Sequence, residues 1–201
     1  MEKKMKKITL LLMFLATFCL WGGEKLENET TKTIFSRASV RGYSETKLPA
    51  ETLEFLVRAG MAAPSAVDKR PWEFIIVQDP AVLKELAEKN PGNGGKMALQ
   101  AGQAIVVAGD LSKQHGGKDS TFWIMDCSAA VENILLAAQS LGLGAVWTAV
   151  YPGQDKIDPV VKALKLPENI VPLAIIPVGK PAGKAQPKDK FDKKKIHWNK
   201  F

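Results

Sequence analysis

Residues 63–77 read APSAVDKRPWEFIIV, and the fold turns on how this stretch is parsed. Pro64 and Pro71 stiffen the polar loop between them and fix where Ser65, Asp68, Lys69 and Arg70 point. Upstream, Leu53, Leu56, Val57 and Met61 fall on one stripe, which predicts a helix over 49–63 with Pro49 in its first turn. Downstream, 72–77 predicts a strand. Asp79 and Pro80 open a second helix, which runs to about Glu88 and stops at Asn90, Pro91 and Gly92. Farther along, 104–108 is an almost wholly apolar strand, and a long helix runs from about Ser120 to Leu141, closed by Gly142. Met125, Ala129, Ile134 and Leu135 are its core candidates, and its continuous apolarity implies burial on most sides. A strand over 145–150, a short helix over 158–164 and a strand over 171–178 follow. Residues 180–201 have no hydrophobic period and read as an arm held by something else.

The chain has 201 residues, 46% of them hydrophobic and 24% charged, which excludes a disordered chain, a collagen-like repeat and a small disulfide scaffold. Elements alternate with short connections and no repeat, so one α/β-sized domain is expected. The formal charge of +7 sits at the ends: +3 in residues 1–7, +6 in 180–201 and −2 between them. That excludes a basic groove across the body, so no nucleic-acid partner is expected. Lys3, Lys4, Lys6 and Lys7 precede an apolar run from Ile8 to Trp21 and a polar stretch from Glu24. This is the layout of a secretory signal peptide, and at about 14 residues the run falls short of the ~20 that span a bilayer. Residues 1–23 are therefore read as a signal peptide or N-terminal anchor and 24–201 as the domain. The protein is expected to be exported, periplasmic or membrane-attached through its N-terminus, and cytoplasmic otherwise. Cys19 lies in the apolar run, so the mature domain keeps Cys127 alone, and neither a disulfide framework nor a metal site follows.

Familiar catalytic signatures are missing: there is no G-x-G-x-x-G after a strand and no G-x-x-x-x-G-K-[ST]. The two histidines, His115 and His197, lie in polar surroundings that suit no hydrolytic triad. Arg37-Ala38-Ser39-Val40-Arg41 puts two guanidiniums and a hydroxyl within five residues, a composition suited to phosphate or to a solvated loop. Gly142-Leu143-Gly144 ends the long helix with glycines that permit close backbone approach.

Together these segments resemble the nitroreductase family of flavoproteins. The resemblance covers about Thr31 to Phe201. It rests on R-x-S-x-R followed by Tyr43, the A-P-S-A-x-x-x-x-P-W loop, the helix with Asp126 and Asn133 ending in G-L-G-x-x-W, and the closing stretch from Lys188 to Phe201. It implies an α+β nitroreductase-like fold: a central, mostly antiparallel sheet flanked by helices, with a C-terminal arm exchanged in a homodimer and FMN at the interface.

Carried over residue by residue, Arg37, Ser39 and Arg41 would hold the FMN phosphate and flavin edge, and Pro64 and Ser65 would lie against the flavin and its ribityl chain. Asp68 and Arg70 stand where relatives commonly have Asn and Gln. An ionised Asp68 accepts but cannot donate, and near the ring it would lower the flavin potential unless Arg70 or Lys69 compensates; otherwise it is a loop cap. Trp147, Thr148, Ala149 and Val150 resemble the strand whose backbone faces flavin N5 and O4, with Ala149 and Val150 as the donors. Lys190, with Lys188 second, occupies the place of a phosphate-binding Arg, without its fork. Trp123 is either a gate over the substrate or a core or dimer-packing residue.

The implied activity is a ping-pong oxidoreductase. Hydride passes from NAD(P)H through flavin N5 to a nitroaromatic, quinone or similar small-molecule acceptor, with no catalytic side chain required. A flavin dehydrogenase or reductive dehalogenase is an alternative within the class. From another class, the alternative is an exported, non-enzymatic module whose flavin site is lost and whose basic tail holds it at an anionic membrane surface.

Overall fold

The stretch Ala104–Asp110, apolar until its final residue, is buried along its whole length, and the sheet forms around it. The computed structural model describes residues 26–201 except Lys118. In chain order they form helices α1 (Glu29–Ser36) and α2 (Ala50–Met61), strand β1 (Trp72–Val77), α3 (Pro80–Lys89), α4 (Asn93–Ala101), β2 (Ala104–Asp110), α5 (Phe122–Ser140), β3 (Gly144–Ala145), β4 (Thr148–Ala149), α6 (Gln154–Leu164) and β5 (Ile170–Gly179). The chain divides into two units, Met1–Phe35 and Ser36–Phe201. The signal or anchor segment read at residues 1–23 lies outside the described residues. At the start of α1, Asn28 and Thr31 cap each other: Asn28 N–H donates to Thr31 Oγ1 at 2.8 Å and Thr31 N–H to Asn28 Oδ1 at 3.0 Å.

In the second unit the sheet order is β1-β2-β5-β3, with β4 also on β5, and every pairing is antiparallel. Alternation along β2 sends Ile105 and Val107 to one face, against Leu53, Leu56 and Ile134 of α2 and α5. It sends Ala104 and Val106 to the other, against Leu83, Leu86 and Val160 of α3 and α6. Burying each of these large aliphatic side chains contributes about 1.5–3 kcal/mol. Both faces of the sheet are covered, which is why β2 reads as a continuous apolar run rather than an alternating one.

α3 starts as its sequence dictates: Pro80 takes the first position and Asp79 Oδ1 accepts the Ala81 N–H at 2.8 Å. Besides α1, for which no helix was expected, three elements differ from expectation. Residues 93–101, unassigned by pattern, form α4, because Gly94 and Gly95 are chosen for contact: a Cβ on Gly94 would run into Thr148, and one on Gly95 into the Leu86 carbonyl. α6 begins at Gln154 rather than Asp158, with Pro159 inside it. The strand expected over 145–150 is two short pieces. β3 and β4 share one register on β5 (Gly144↔Gly179, Thr148↔Ile175), which sets Val146 opposite Pro177, and Pro177 has no N–H to give the ladder.

On its β2 side β5 carries a bulge: Val107 faces Ala174 and Ala108 faces Pro172, leaving Leu173 over. The Leu173 carbonyl instead accepts the Val150 and Tyr151 N–H groups at 2.9 and 3.2 Å.

Candidate functional site

The segment 37–41 has no regular secondary structure, and nonlocal groups hold it. Ser39 bridges Ala145, and the Val40 N–H donates to the Ala145 carbonyl at 3.1 Å. Gly144 makes this approach possible, since a Cβ there would lie 2.6 Å from Val40 Cγ1. Tyr43, buried, points its hydroxyl at the carbonyls of Val40 (2.7 Å) and Pro177 (3.1 Å), tying the segment to β5. Burial pushes this phenol far above its ordinary range, against the opposing pull of Arg41, so it stays protonated and keeps its donor. Arg37 reaches α5, its Nε 3.2 Å from Glu132 Oε1.

Arg41 opens onto a cavity of about 380 Å³ that it lines with Asn93, Lys96, Met97 and Gln100. The cavity gathers two cations and two amides beside the start of α4, where Gly92 supplies no side-chain cap. The first N–H groups of a helix are unpaired within it and attract negative charge. β4 packs against the same helix through Thr148 and Gly94. The Thr148 hydroxyl donates to the Ile175 carbonyl at 2.5 Å. Of the two backbone donors expected here, Val150 is committed to the Leu173 carbonyl. The alternation of an antiparallel ladder then turns the Ala149 N–H away from β5, and Ala149 is exposed. Trp147, half-buried, packs on the core.

Pro64 and Ser65 lead into a tight turn, Ala66–Asp68, in which Val67, Asp68 and, just beyond, Arg70 all have left-handed backbone (φ 51°, 54° and 49°). A β-branched residue there is an outlier that its surroundings must enforce. Ser65 does so in part, its Oγ accepting the Arg70 N–H at 2.9 Å and its carbonyl the Asp68 N–H at 3.1 Å. Asp126 of α5 does the rest, its Oδ1 accepting the Ala66 N–H at 2.9 Å. Asp68 and Arg70 form a fork, Nε to Oδ1 at 2.7 Å and Nη2 to Oδ2 at 2.5 Å. The Arg70 hydrogen bond, chiefly, holds the Asp68 carboxyl below its ordinary range. Arg70 thus compensates the carboxylate that departs from the family pattern.

The expected site residues fall into separate groups within one chain. Ser39 bridges Ala145 of β3, Arg41 lines the cavity on α4 and Thr148 of β4 meets Gly94 of α4, whereas Arg37 lies against Glu132, midway along α5. Pro64, Ser65 and Asp68 are pinned through Ala66 to Asp126, near the start of α5. Between Asp126 and the helix end at Ser140 lie about 21 Å of axis at the usual rise. Lys188 and Lys190 stand exposed on a tail, 182–201, that is exposed throughout. Trp123 packs the core rather than gating access: it is 4% exposed, lies against Gly109 and meets Tyr151 edge-on at 5.0 Å.

The family model described as Nitroreductase family matches residues 34–180. The chain belongs to the nitroreductase family. Among solved relatives of this nitroreductase-family chain, a Parabacteroides distasonis protein is 51% identical with a TM-score of 0.80, over 87% of this chain and 100% of that one. It carries the provisional name NADH dehydrogenase/NAD(P)H nitroreductase. A Methanothermobacter thermautotrophicus protein with the same provisional name is 40% identical, over 89% of this chain and 91% of its own. A Desulfovibrio desulfuricans protein provisionally named a nitroreductase and solved in complex with FMN is 27% identical with a TM-score of 0.75, over 87% of this chain and 99% of that one.

Asn93, Lys96 and Glu132 were missed from sequence. Paired glycines beside a lysine in Asn93-Gly94-Gly95-Lys96 mark close approach, but nothing local says what approaches.

Proposed function

We propose that this nitroreductase-family chain is an FMN-dependent NAD(P)H oxidoreductase that works as a homodimer and reduces nitroaromatic, quinone or similar acceptors by a ping-pong route. The observation that carries this reading is the cavity where Arg41, Lys96 and Asn93 converge beside the α4 N-terminus. Its donor set fits a ligand rich in acceptors and negative charge. When bound, FMN supplies the hydride chemistry between nicotinamide and acceptor. Arg37, Ser39 and Arg41 would hold its phosphate and ring edge, with Lys96 and Asn93 beside them. The Ala149 N–H, free of the ladder, is the backbone donor directed to the ring. Asp68 is forked to Arg70, which weakens one of the grounds for a lost flavin site, beside Lys190 and the N-terminal segment.

A second copy is needed on two counts. The loop bearing Pro64 and Ser65 and the cavity bearing Arg41 belong to different ends of α5, so a two-fold partner would bring one chain's loop to the other's cavity. The tail exposes Phe191, Trp198 and Phe201, at 74%, 84% and 104%, and needs a surface to cover them. Lys188 and Lys190 would reach the partner's site on that arm. Export, read from residues 1–23, is part of the proposal and rests on sequence alone.

Purified protein is expected to be yellow, or to take up FMN with quenching of flavin fluorescence. NADH or NADPH should then bleach it anaerobically, and the faster of the two is the preferred donor. A colourless dimer that takes up no FMN would overturn the reading. Removing 182–201 is expected to yield a monomer by light scattering and to weaken FMN uptake.

A further inference from the structure

Resting on the flavin reading, we propose that Glu132 is the positioning residue that aims Arg37 at the phosphate of FMN. The contact is one-sided: Glu132 Oε1 lies 3.2 Å from Arg37 Nε. A guanidinium is a rigid planar fork. Fixing it at Nε leaves the edge formed by its two terminal NH₂ groups free, and that edge suits two phosphate oxygens. The Arg37 side chain is only 17% exposed, so its stem is held by packing while Glu132 sets its direction. The backbone behind it is fixed at Ser39 and Val40 through Ala145. A phosphate monoester therefore meets a donor pair that is already oriented, and the ordering cost of a long side chain is not met on binding.

Glu132 is also an anion, and its charge opposes a phosphate. Its side chain is 47% exposed, so that repulsion acts through water and over a longer path than the direct NH₂–phosphate contact. Orientation is thus the larger effect, and it rests on the ion pair between Glu132 and Arg37. Gln keeps an acceptor oxygen at the same reach and removes the charge, whereas Ala removes both.

The test is a comparison of FMN and riboflavin affinities by fluorescence quenching in the full-length dimer, with Glu132→Gln, Glu132→Ala and Arg37→Gln. Riboflavin lacks only the phosphate. Glu132→Ala is expected to weaken FMN about three- to tenfold, the scale of one newly immobilised side chain. It should leave riboflavin unchanged and have no further effect in an Arg37→Gln background. Glu132→Gln, which keeps an oxygen beside Nε but loses the ion pair, should fall between wild type and Glu132→Ala. Equal losses for FMN and riboflavin would make Glu132 merely structural and overturn the proposal. So would tighter FMN binding by Gln and Ala alike, or no change in either. A wild-type protein that binds riboflavin and FMN equally removes the phosphate role of Arg37, and one that binds neither overturns the flavin reading itself.

Discussion

Asp126 allows the anchoring of the loop to be separated from the cost of its charge. It is 5% exposed, its Oδ1 takes the Ala66 N–H at 2.9 Å, and its Oδ2 is buried with no hydrogen-bond partner among the described residues. A hydrogen bond to an ionised group contributes about 1.5–3 kcal/mol, and an unpaired buried acceptor costs about 1–3 kcal/mol. In Asp126→Asn the acceptor for Ala66 remains and an ionised orphan oxygen becomes a neutral amide, which is cheaper to bury. The Asn variant is therefore expected to be as stable as wild type or more stable, by about 1–2 kcal/mol, in urea unfolding. In Asp126→Ala relief of the buried charge and loss of the anchor nearly cancel globally. Locally they do not, because Val67, Asp68 and Arg70 keep their left-handed strain and lose what enforces it. Losing 1.5–3 kcal/mol raises the open population of the loop about 10- to 150-fold. Limited tryptic proteolysis after Lys69 reads this directly, since cleavage follows the open population when reclosing is fast; Pro71 blocks the bond after Arg70. If the Ala variant is cut no faster than wild type, Asp126 does not anchor the loop. An Asn variant clearly less stable than wild type would mean that Oδ2 has a charged partner outside the described residues.

Gly144→Ala would place a Cβ 2.6–2.9 Å from Val40 Cγ1, Cβ and Cγ2; Val40 is stiff at χ1, so a loss of about 1–3 kcal/mol in thermal unfolding is expected, with weaker FMN binding as the 37–41 segment shifts. Burial alone would raise the Asp110 carboxyl, but hydrogen bonds from Ser112, Asn169 and Lys113 outweigh it and bring it to about 2, from an ordinary 3.8. A lowered folded value contributes stability that is present above pH 4 and lost as pH falls toward 2, so Asp110→Asn should be less stable at neutral pH and show a flatter pH dependence across that window. Burial first, then the charges of Asp126 and Glu73, push the Cys127 thiol up to about 12; a thiol reagent at pH 8 should label it only at the rate of unfolding, and fast labelling of the native protein would contradict its burial.

Local signals made part of this architecture legible. Asp79-Pro80 carries its helix start in two adjacent residues, and 72–77 carries its strand in the composition of one run, so both appear where they were expected. α4 was not legible, because Gly94 and Gly95 lower helix propensity and are explained only by the Leu86 carbonyl and by Thr148, which the fold brings to them. The break between β3 and β4 has its cause in Pro177, some thirty residues downstream. The site follows the same rule. Two arginines around a serine at 37–41 show their chemistry on their face, but their partners Glu132, Asn93 and Lys96 come from two helices and share no spacing with them. Trp123 shows the limit from the other side: an aromatic at a helix start reads equally as gate or core, and only Gly109, whose missing side chain makes room for the indole, decides for the core.

The anchoring of 37–41 follows from its lack of secondary structure. Ordering each backbone residue costs about 1–2 kcal/mol, and a helix or strand offsets that with its own ladder. This segment has one bridge to Ala145 and no ladder beyond it. The remainder must come from groups that are not ligands themselves: the Tyr43 hydroxyl under Val40, the space left by Gly144, and the Glu132 carboxylate beside Arg37. On the proposed reading, an irregular segment would let Arg37, Ser39 and Arg41 face a ligand at once, as one face of a strand also would, while leaving their backbone able to bend toward α4. The consequence is that residues which never touch a ligand decide whether those which do are in place, and the site's tolerance to substitution should track the packing around Val40 and Tyr43 as closely as the charges themselves.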